Sequence, residues 1–281
     1  MRIISLQPSV SIILDRLGCL DSLTACTKYC VEAVPALRER QLPIVHDSWS
    51  TKPEELLPVS ADLVIASVPY RQESLTAILK SGHPVLALAP KTLRDIYQDI
   101  RLIASVIHQP ERGEALIGDM ESEIASIRFL TSAITRLRVY CEEWGKPLIH
   151  SQQWVAELVE AAGGEFLGEP GATTTAEAVA GSEPDVIVAA WCGAGDRVPL
   201  ERMVGQRHWH DLSAAQTGRI YCIADELLNT PAPTLIEGLR ALARAIHPEI
   251  FGAITSPQGR QIDEFLAITS KLKQGGTEQV K

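Results

Sequence analysis

No stretch of this 281-residue chain approaches the run of about 18 apolar residues needed to span a bilayer. No basic run offsets its acidity, and a net charge of −9 excludes the electropositive surface that holds nucleic acid. The six cysteines, at 19, 26, 30, 141, 192 and 222, form no CxxC pair. Cys26, Cys141 and Cys222 sit in apolar strand-like runs, which reads as buried free thiols rather than a disulfide framework. Catalytic signatures are missing as well: there is no GxSxG, no HExxH, no phosphate-binding GxxxxGKS or GxxxxGKT, and no GxGxxG after the first strand. Gly193-Ala194-Gly195 is too short for a nucleotide loop, and His208-Trp209-His210 places its imidazoles at alternate loop positions, which rarely chelate. These absences point to a protein that is not an enzyme and holds no metal of its own. The opening Met1-Arg2-Ile3-Ile4-Ser5-Leu6 lacks the apolar core of a signal peptide. As written the chain reads as cytoplasmic, or as periplasmic or cell-surface if a leader was removed.

What is present is an alternation of apolar strands and amphipathic helices, with 46% apolar residues to fill real cores. Residues 2–6 read as a first buried strand, followed by a helix over 10–17 that Gly18 ends. Further strands are expected over 22–27, 42–45, 62–68 and 84–89, an irregular stretch around Tyr29 and Cys30, and helices over 72–80 and 93–107. Residues 110–137 read as one long helix, with Pro110 in its first turn and Leu116, Met120, Ile124, Ile127, Leu130 and Ile134 on one face. At about 1.5 Å per residue it would span roughly 40 Å. The strand–helix pattern then restarts over 138–142, 152–162, 185–191, 219–224 and 234–245.

The two halves echo each other. Glu54 stands eight residues before Asp62, which opens Leu-Val-Ile-Ala; Glu177 stands eight before Asp185, which opens Val-Ile-Val-Ala. The economical reading is α/β, two Rossmann-like lobes with parallel sheets joined by one long rigid helix. The expected divisions are an N-terminal lobe over 1–108, the connecting helix over 109–137, a C-terminal lobe over 138–254 and a frayed polar tail over 255–281.

Ligands of open α/β sheets bind beyond the carboxyl ends of the strands. Those ends carry Pro8, Tyr29, Trp49 and Tyr70 in the first half, and His150, Trp191, Trp209 and Asp225 in the second. Three of only five tryptophans fall in such loops, which suits a large, flat, partly apolar ligand. For each of these residues, packing within its own lobe remains the open alternative. Glu54 and Glu177 have one too, since an acidic residue in a first turn favours the helix dipole.

Taken in order, several stretches resemble the substrate-binding proteins of ABC importers for cobalamin and iron chelates, within them the cobalamin-binding branch. They are Ile4-Ser5-Leu6-Gln7-Pro8-Ser9 with its helix to Leu17-Gly18, the two Glu-to-Asp units, and Trp154-Val155-Ala156-Glu157-Leu158 with Ala161-Ala162-Gly163-Gly164. Trp209-His210-Asp211-Leu212 with Gly218-Arg219-Ile220-Tyr221, and Pro231-Ala232-Pro233-Thr234-Leu235 through His247-Pro248-Glu249, complete the resemblance over about residues 1–252. It implies two lobes with little hinge motion and a corrinoid (cobalamin as bound ligand, with no catalytic cofactor) held between them. It further implies a monomer docked on an ABC permease, one glutamate per lobe meeting transporter arginines. Glu54 and Glu177 inherit that docking role; Pro8, Tyr29, Trp49, Tyr70, Trp191, Trp209 and Asp225 inherit ligand contact. The family often has Thr-Glu where this chain has Val10-Ser11-Ile12. A ferric-siderophore or haem binder of the same fold would call for arginines, and only Arg71 and Arg197 stand near expected strand ends. A cytosolic metal-handling protein or enzyme using His46, His150 and Cys192 is the reading from another class.

Overall fold

A computed structural model describes residues 1–255 and 259–262. The chain forms two compact units, one of residues 1–122 with 230–234, the other of residues 123–229 with the chain from 235.

In the first unit the strands are β1 (Ile3–Ser5), β2 (Leu23–Thr27), β3 (Ile44–Val45), β4 (Leu63–Ala66) and β5 (Val85–Ala87). They form one sheet in the order β3-β2-β1-β4-β5, with every pairing parallel. Helices α1 (Pro8–Arg16), α2 (Lys28–Ala33), α3 (Pro53–Leu56) and α4 (Gln72–Leu79) lie in the crossovers, and α5 (Leu93–Val106) follows the last strand. The non-alternating apolar strands fit burial on both faces: Ile4, Leu6, Ala25, Val64 and Ala66 share one core with Leu56 and Ile78. The stretch around Tyr29 and Cys30, expected to be irregular, is helix α2, because the Thr27 hydroxyl accepts the Cys30 N–H and caps it. Thr92 and Asp95 form a reciprocal capping box at the start of α5.

The long helix is α6 (Pro110–Thr131), and the boundary between the units falls within it. It stops six residues short of its expected end, because Leu137 already opens β6 and the Thr131 hydroxyl turns back onto the Ile127 and Arg128 carbonyls. Its buried face is Gly113, Ile117, Met120, Ile124, Ile127 and Thr131. Leu116 is only half-buried and Leu130 is exposed, so the face runs one position away from the expected stripe at both ends. Gly113 is the reason for the shift at the start: a Cβ there would lie 2.6 Å from the Ala104 Cβ, so the glycine lets α6 approach α5 closely.

The second unit contains β6 (Leu137–Gly145), β7 (Leu148–His150), β8 (Gly164–Phe166), β9 (Thr173–Thr174), β10 (Val186–Ala189), β11 (Ile220–Ile223) and β12 (Gly259–Gln261). The path is β12-β11-β10-β6-β7-β9, with β8 also paired to β6. Strands β11, β10, β6 and β8 are parallel, while β7, β9 and β12 add antiparallel edges. Its helices are α7 (Gln153–Ala161), α8 (Ala176–Gly181), α9 (Leu200–Arg207), α10 (Ser213–Gln216), α11 (Leu235–Ile246) and α12 (Pro248–Phe251). Within the segment read as a frayed tail, β12 pairs instead with β11; residues 256–258 and 263–281 lie outside the described residues. All six cysteines are free thiols. No described helix is long and apolar enough to cross a membrane.

Each unit repeats one fastening. The Asp62 carboxylate accepts the Arg2 backbone N–H while the Asp62 N–H donates to the Arg2 carbonyl, both at 2.8 Å. Asp185 and Arg138 make the same pair of bonds at the same lengths. The aspartate that opens the second apolar strand of each repeat thus clips it to the start of the first, which sets their register.

Asp99, on the buried face of α5, has its carboxyl pushed up to about 7 by burial and secondarily by Asp95 one turn earlier. Its folded value is raised above the unfolded one, so its contribution to stability is fully present below about pH 4 and lost as pH rises through about 7. Chemical denaturation is expected to show lower stability at pH 8 than at pH 5 from this group, with a slope of at most about 1.4 kcal/mol per pH unit between them. Asp99→Asn should remove that part of the slope; an unchanged slope would show that Asp99 titrates normally.

Candidate functional site

In the first unit the residues expected at a ligand face do lie at the carboxyl end of the parallel sheet. Pro8 opens α1 directly after β1, where its missing N–H is harmless. Tyr29 sits in the first turn of α2 and is 43% exposed, with the Lys28 ammonium 4.8 Å from its ring centroid. The loop after β3 is held by the Ser48 N–H donating to the Leu6 carbonyl and by Asp47 accepting both the N–H and hydroxyl of Ser50. It presents Trp49, 47% exposed, with the Arg71 guanidinium 5.8 Å from its ring. Tyr70 follows β4, half-buried, and its hydroxyl donates to the Leu88 carbonyl at 2.9 Å; burial raises its phenol above the ordinary range. Tyr29 shares a hollow of about 210 Å³ with Lys28, Ile44, Val45, His46 and Asp47.

The second unit is organised around a residue that sequence reasoning passed over. Glu142, fully buried on β6, receives both Arg207 guanidinium nitrogens at 2.7 and 2.8 Å, the Tyr140 hydroxyl at 2.6 Å and the Trp191 Nε1–H at 2.7 Å. This network pins the Trp191 indole against the backbone of Gly145, where a Cβ would come within 2.6 Å of the ring. Above it opens a cavity of about 640 Å³, walled by Trp144, Trp191, Met203 and Arg207, with Cys192, Arg202 and Gln206 also lining it. Trp144, 43% exposed, stands on the β6–β7 hairpin and donates its indole N–H to the Lys146 carbonyl. Arg202 is exposed and makes no ion pair among the described residues. The cavity is apolar-walled with open positive charge at its rim.

The other expected residues have different surroundings. Trp209 is 1% exposed, in the core with Tyr140, and its indole donates to the Ala176 carbonyl. His150 is 6% exposed, edge-on to Tyr140, with burial holding its pKa low and its Nδ1 without a hydrogen-bond partner. Asp225 accepts the backbone N–H groups of Gly193 and Gly195 at 2.7 and 2.8 Å, so it fastens the loop after β10. The Cys192 side chain reaches the surface, yet desolvation of its thiol by the groups packed around it, aided by Glu143 and Asp225, pushes the thiol up to about 12. Among the described residues no group of three or more His, Cys, Asp and Glu is placed to hold a metal ion.

Glu54 and Glu177 occupy equivalent places, each the second residue of a short helix and each exposed. The Glu177 carboxyl is held below its usual range by its own backbone N–H and by the Thr175 hydroxyl. Trp144, Arg202 and Arg207 escaped the sequence reading because nothing local marks the hairpin or aims α9 at it. Glu142 carried only a weak signal, the first of two consecutive carboxylates directly after the apolar Val139-Tyr140-Cys141 run, and a carboxylate demands a partner when buried.

Removing Arg207 would leave Glu142 charged and buried, so Arg207→Met is expected to cost about 3–5 kcal/mol of unfolding free energy in urea titrations. The double change with Glu142→Gln should recover much of that loss. Equal stability of parent and Arg207→Met would show that the pair is solvated.

The sequence pattern of the periplasmic binding protein family matches residues 3–227. An ABC transporter substrate-binding lipoprotein of Bacillus subtilis, YvrC, is 22% identical over 263 residues, covering 89% of this chain and 81% of that protein. The vitamin B12-binding protein of Vibrio parahaemolyticus is 23% identical over 249 residues, covering 85% of this chain and 86% of the relative. Among solved structures, the periplasmic heme-binding protein RhuT from Roseiflexus superposes with a TM-score of 0.75 at 25% identity, covering 88% of this chain and 97% of its own. Mostly parallel sheets in two units, a long helix between them in sequence and a family pattern over most of the length make one conclusion: this chain belongs to the periplasmic binding protein family.

Proposed function

We propose that the chain is a non-catalytic binding protein that captures cobalamin or a related corrinoid for an ABC importer. The observation that carries this is the unit-two cavity of about 640 Å³, walled by Trp144 and Trp191 and rimmed by the open Arg202. Tryptophan faces suit a broad macrocycle, and one unpaired guanidinium suits the single phosphate of a cobalamin nucleotide loop. Pro8, Tyr29, Trp49 and Tyr70 on the first unit and Trp191 on the second are the proposed contact residues. The vitamin B12-binding relative supports the same ligand class. A ferric-siderophore or haem ligand is the second reading, favoured by Arg202 in the cavity and by the heme-binding RhuT fold neighbour. The deciding experiment is an absorbance spectrum of the protein after incubation with cobalamin and desalting, beside a parallel sample with haem. Retained cobalamin bands support the reading, and retention of haem alone replaces it with the second.

Trp49→Ala and Trp144→Ala should each weaken corrinoid binding by about 1–3 kcal/mol, the range for truncating an aromatic side chain that a ligand covers, with circular dichroism unchanged. Calorimetry giving equal affinity in either variant would remove that residue from the site.

Glu54 and Glu177 are proposed to dock on basic residues of a permease. If they only favour their helix dipoles, Glu→Gln changes stability alone. If they meet arginines, each change removes a charge-assisted hydrogen bond, and the double variant binds more weakly than either single one. The measurement is association with the cognate permease across a salt series, with the parent expected to weaken as salt rises. Undiminished association of the double variant would leave a corrinoid carrier without this docking mode.

A further inference from the structure

We infer that Arg260, carried on β12, is a positioning residue for the cavity of the second unit: it fixes the leading end of α9, the helix that forms one wall. The inference rests on the proposed role of that cavity in ligand capture and adds to it a residue outside the lining.

Helix α9 supplies Arg202, Met203, Gln206 and Arg207 to the cavity, and Pro199 just before it also lines the space. The trailing end of α9 is held by the Arg207–Glu142 pair. Its leading end lacks a side-chain cap, since Pro199 stands at the N-cap with no side-chain acceptor to offer. Arg260 makes the fastening there. One guanidinium nitrogen donates to the Val198 carbonyl, and the other lies 3.4 Å from Glu201 Oε1. The guanidinium is a rigid planar fork, so the residue before the N-cap and the second residue of the helix are gripped by one group.

The strand that carries Arg260 is itself closely placed. β12 runs antiparallel to β11 with Arg260 opposite Cys222, so the two side chains leave the sheet on the same side. The Cys222 thiol meets the Gly195 carbonyl at 3.6 Å, which puts that side of the sheet against the connection from β10 to α9. Gly259 permits the approach, because a Cβ there would collide with the Cys222 carbonyl. Ile262 then packs in the core with Met203, Val204 and Trp209. Both side chains of the Arg260–Glu201 pair are 35% exposed, so the pair contributes little to global stability. Its effect is local: it sets where the wall stands, not whether the sheet folds.

The test compares the full-length parent with Arg260→Met and Arg260→Lys by hydrogen exchange over residues 198–207 and by calorimetry with cobalamin. Arg260→Met is expected to speed exchange in the first turns of α9 while β10 and α11 keep parental rates. Its cobalamin affinity should fall about tenfold, the equivalent of one charge-assisted hydrogen bond. Arg260→Lys keeps a charged donor and should recover part of both losses. Parental exchange over 198–207 in Arg260→Met, or parental affinity, overturns the positioning role whatever happens to the melting temperature. Exchange speeded equally in β10 and α11 also overturns it, since that marks a general loss of stability. A parent that retains neither cobalamin nor haem overturns the ligand reading instead, and exchange over 198–207 still decides for or against the fastening.

Discussion

A carboxylate buried inside a sheet must be paired, and in this protein that requirement organises the second unit. Glu142 is fully buried on β6, and its two oxygens take Arg207, Tyr140 and Trp191. Leaving water is costly for both charges, and only a bidentate guanidinium with further donors offsets it. The consequence is spatial. The end of α9, the strand β6 and the loop after β10 are drawn to one point, and Trp191 is held as a fixed wall. The cavity is the space left beside that knot, so its shape follows from an ion pair rather than from apolar packing alone.

The same logic of fastening recurs at the opposite end of each sheet. Asp62 with Arg2, and Asp185 with Arg138, join paired strands through two backbone-directed bonds apiece. These aspartates begin the apolar strands of the internal repeat, and the glutamates eight residues earlier sit at the second position of equivalent short helices. Repetition of a helix–turn–strand unit therefore carries two kinds of charge: an aspartate consumed by the fold and a glutamate left in water.

The two units present different candidate surfaces. The first displays aromatic and basic side chains on an open face, Tyr29 with Lys28 and Trp49 with Arg71, each cation lying over a ring. The second encloses a cavity whose tryptophans are anchored by hydrogen bonds. His46, with its Nδ1 2.8 Å from the Glu55 carboxylate, belongs to the open face, and Glu55 is the neighbour of the exposed Glu54 on α3.

Features written in local order were legible from the residues alone. Continuous apolar runs read as buried parallel strands, and the Glu-to-Asp spacing revealed the repeat. The placing of Pro8, Tyr29, Trp49 and Tyr70 after strands followed from the same pattern, because strand direction is set by the crossovers. The register of α6 was legible only in its middle, since the close approach at Gly113 depends on Ala104 from another helix. Which polar side chains meet was settled by the folded arrangement and by nothing earlier. Arg207 lies 65 residues beyond Glu142, and nothing between them in the chain records that α9 ends beside β6. Trp209 and Trp191 both read as loop residues in the sequence, yet one fills the core and the other walls a cavity. That choice is made by the space left after the sheet and helices have packed, a quantity no local pattern contains.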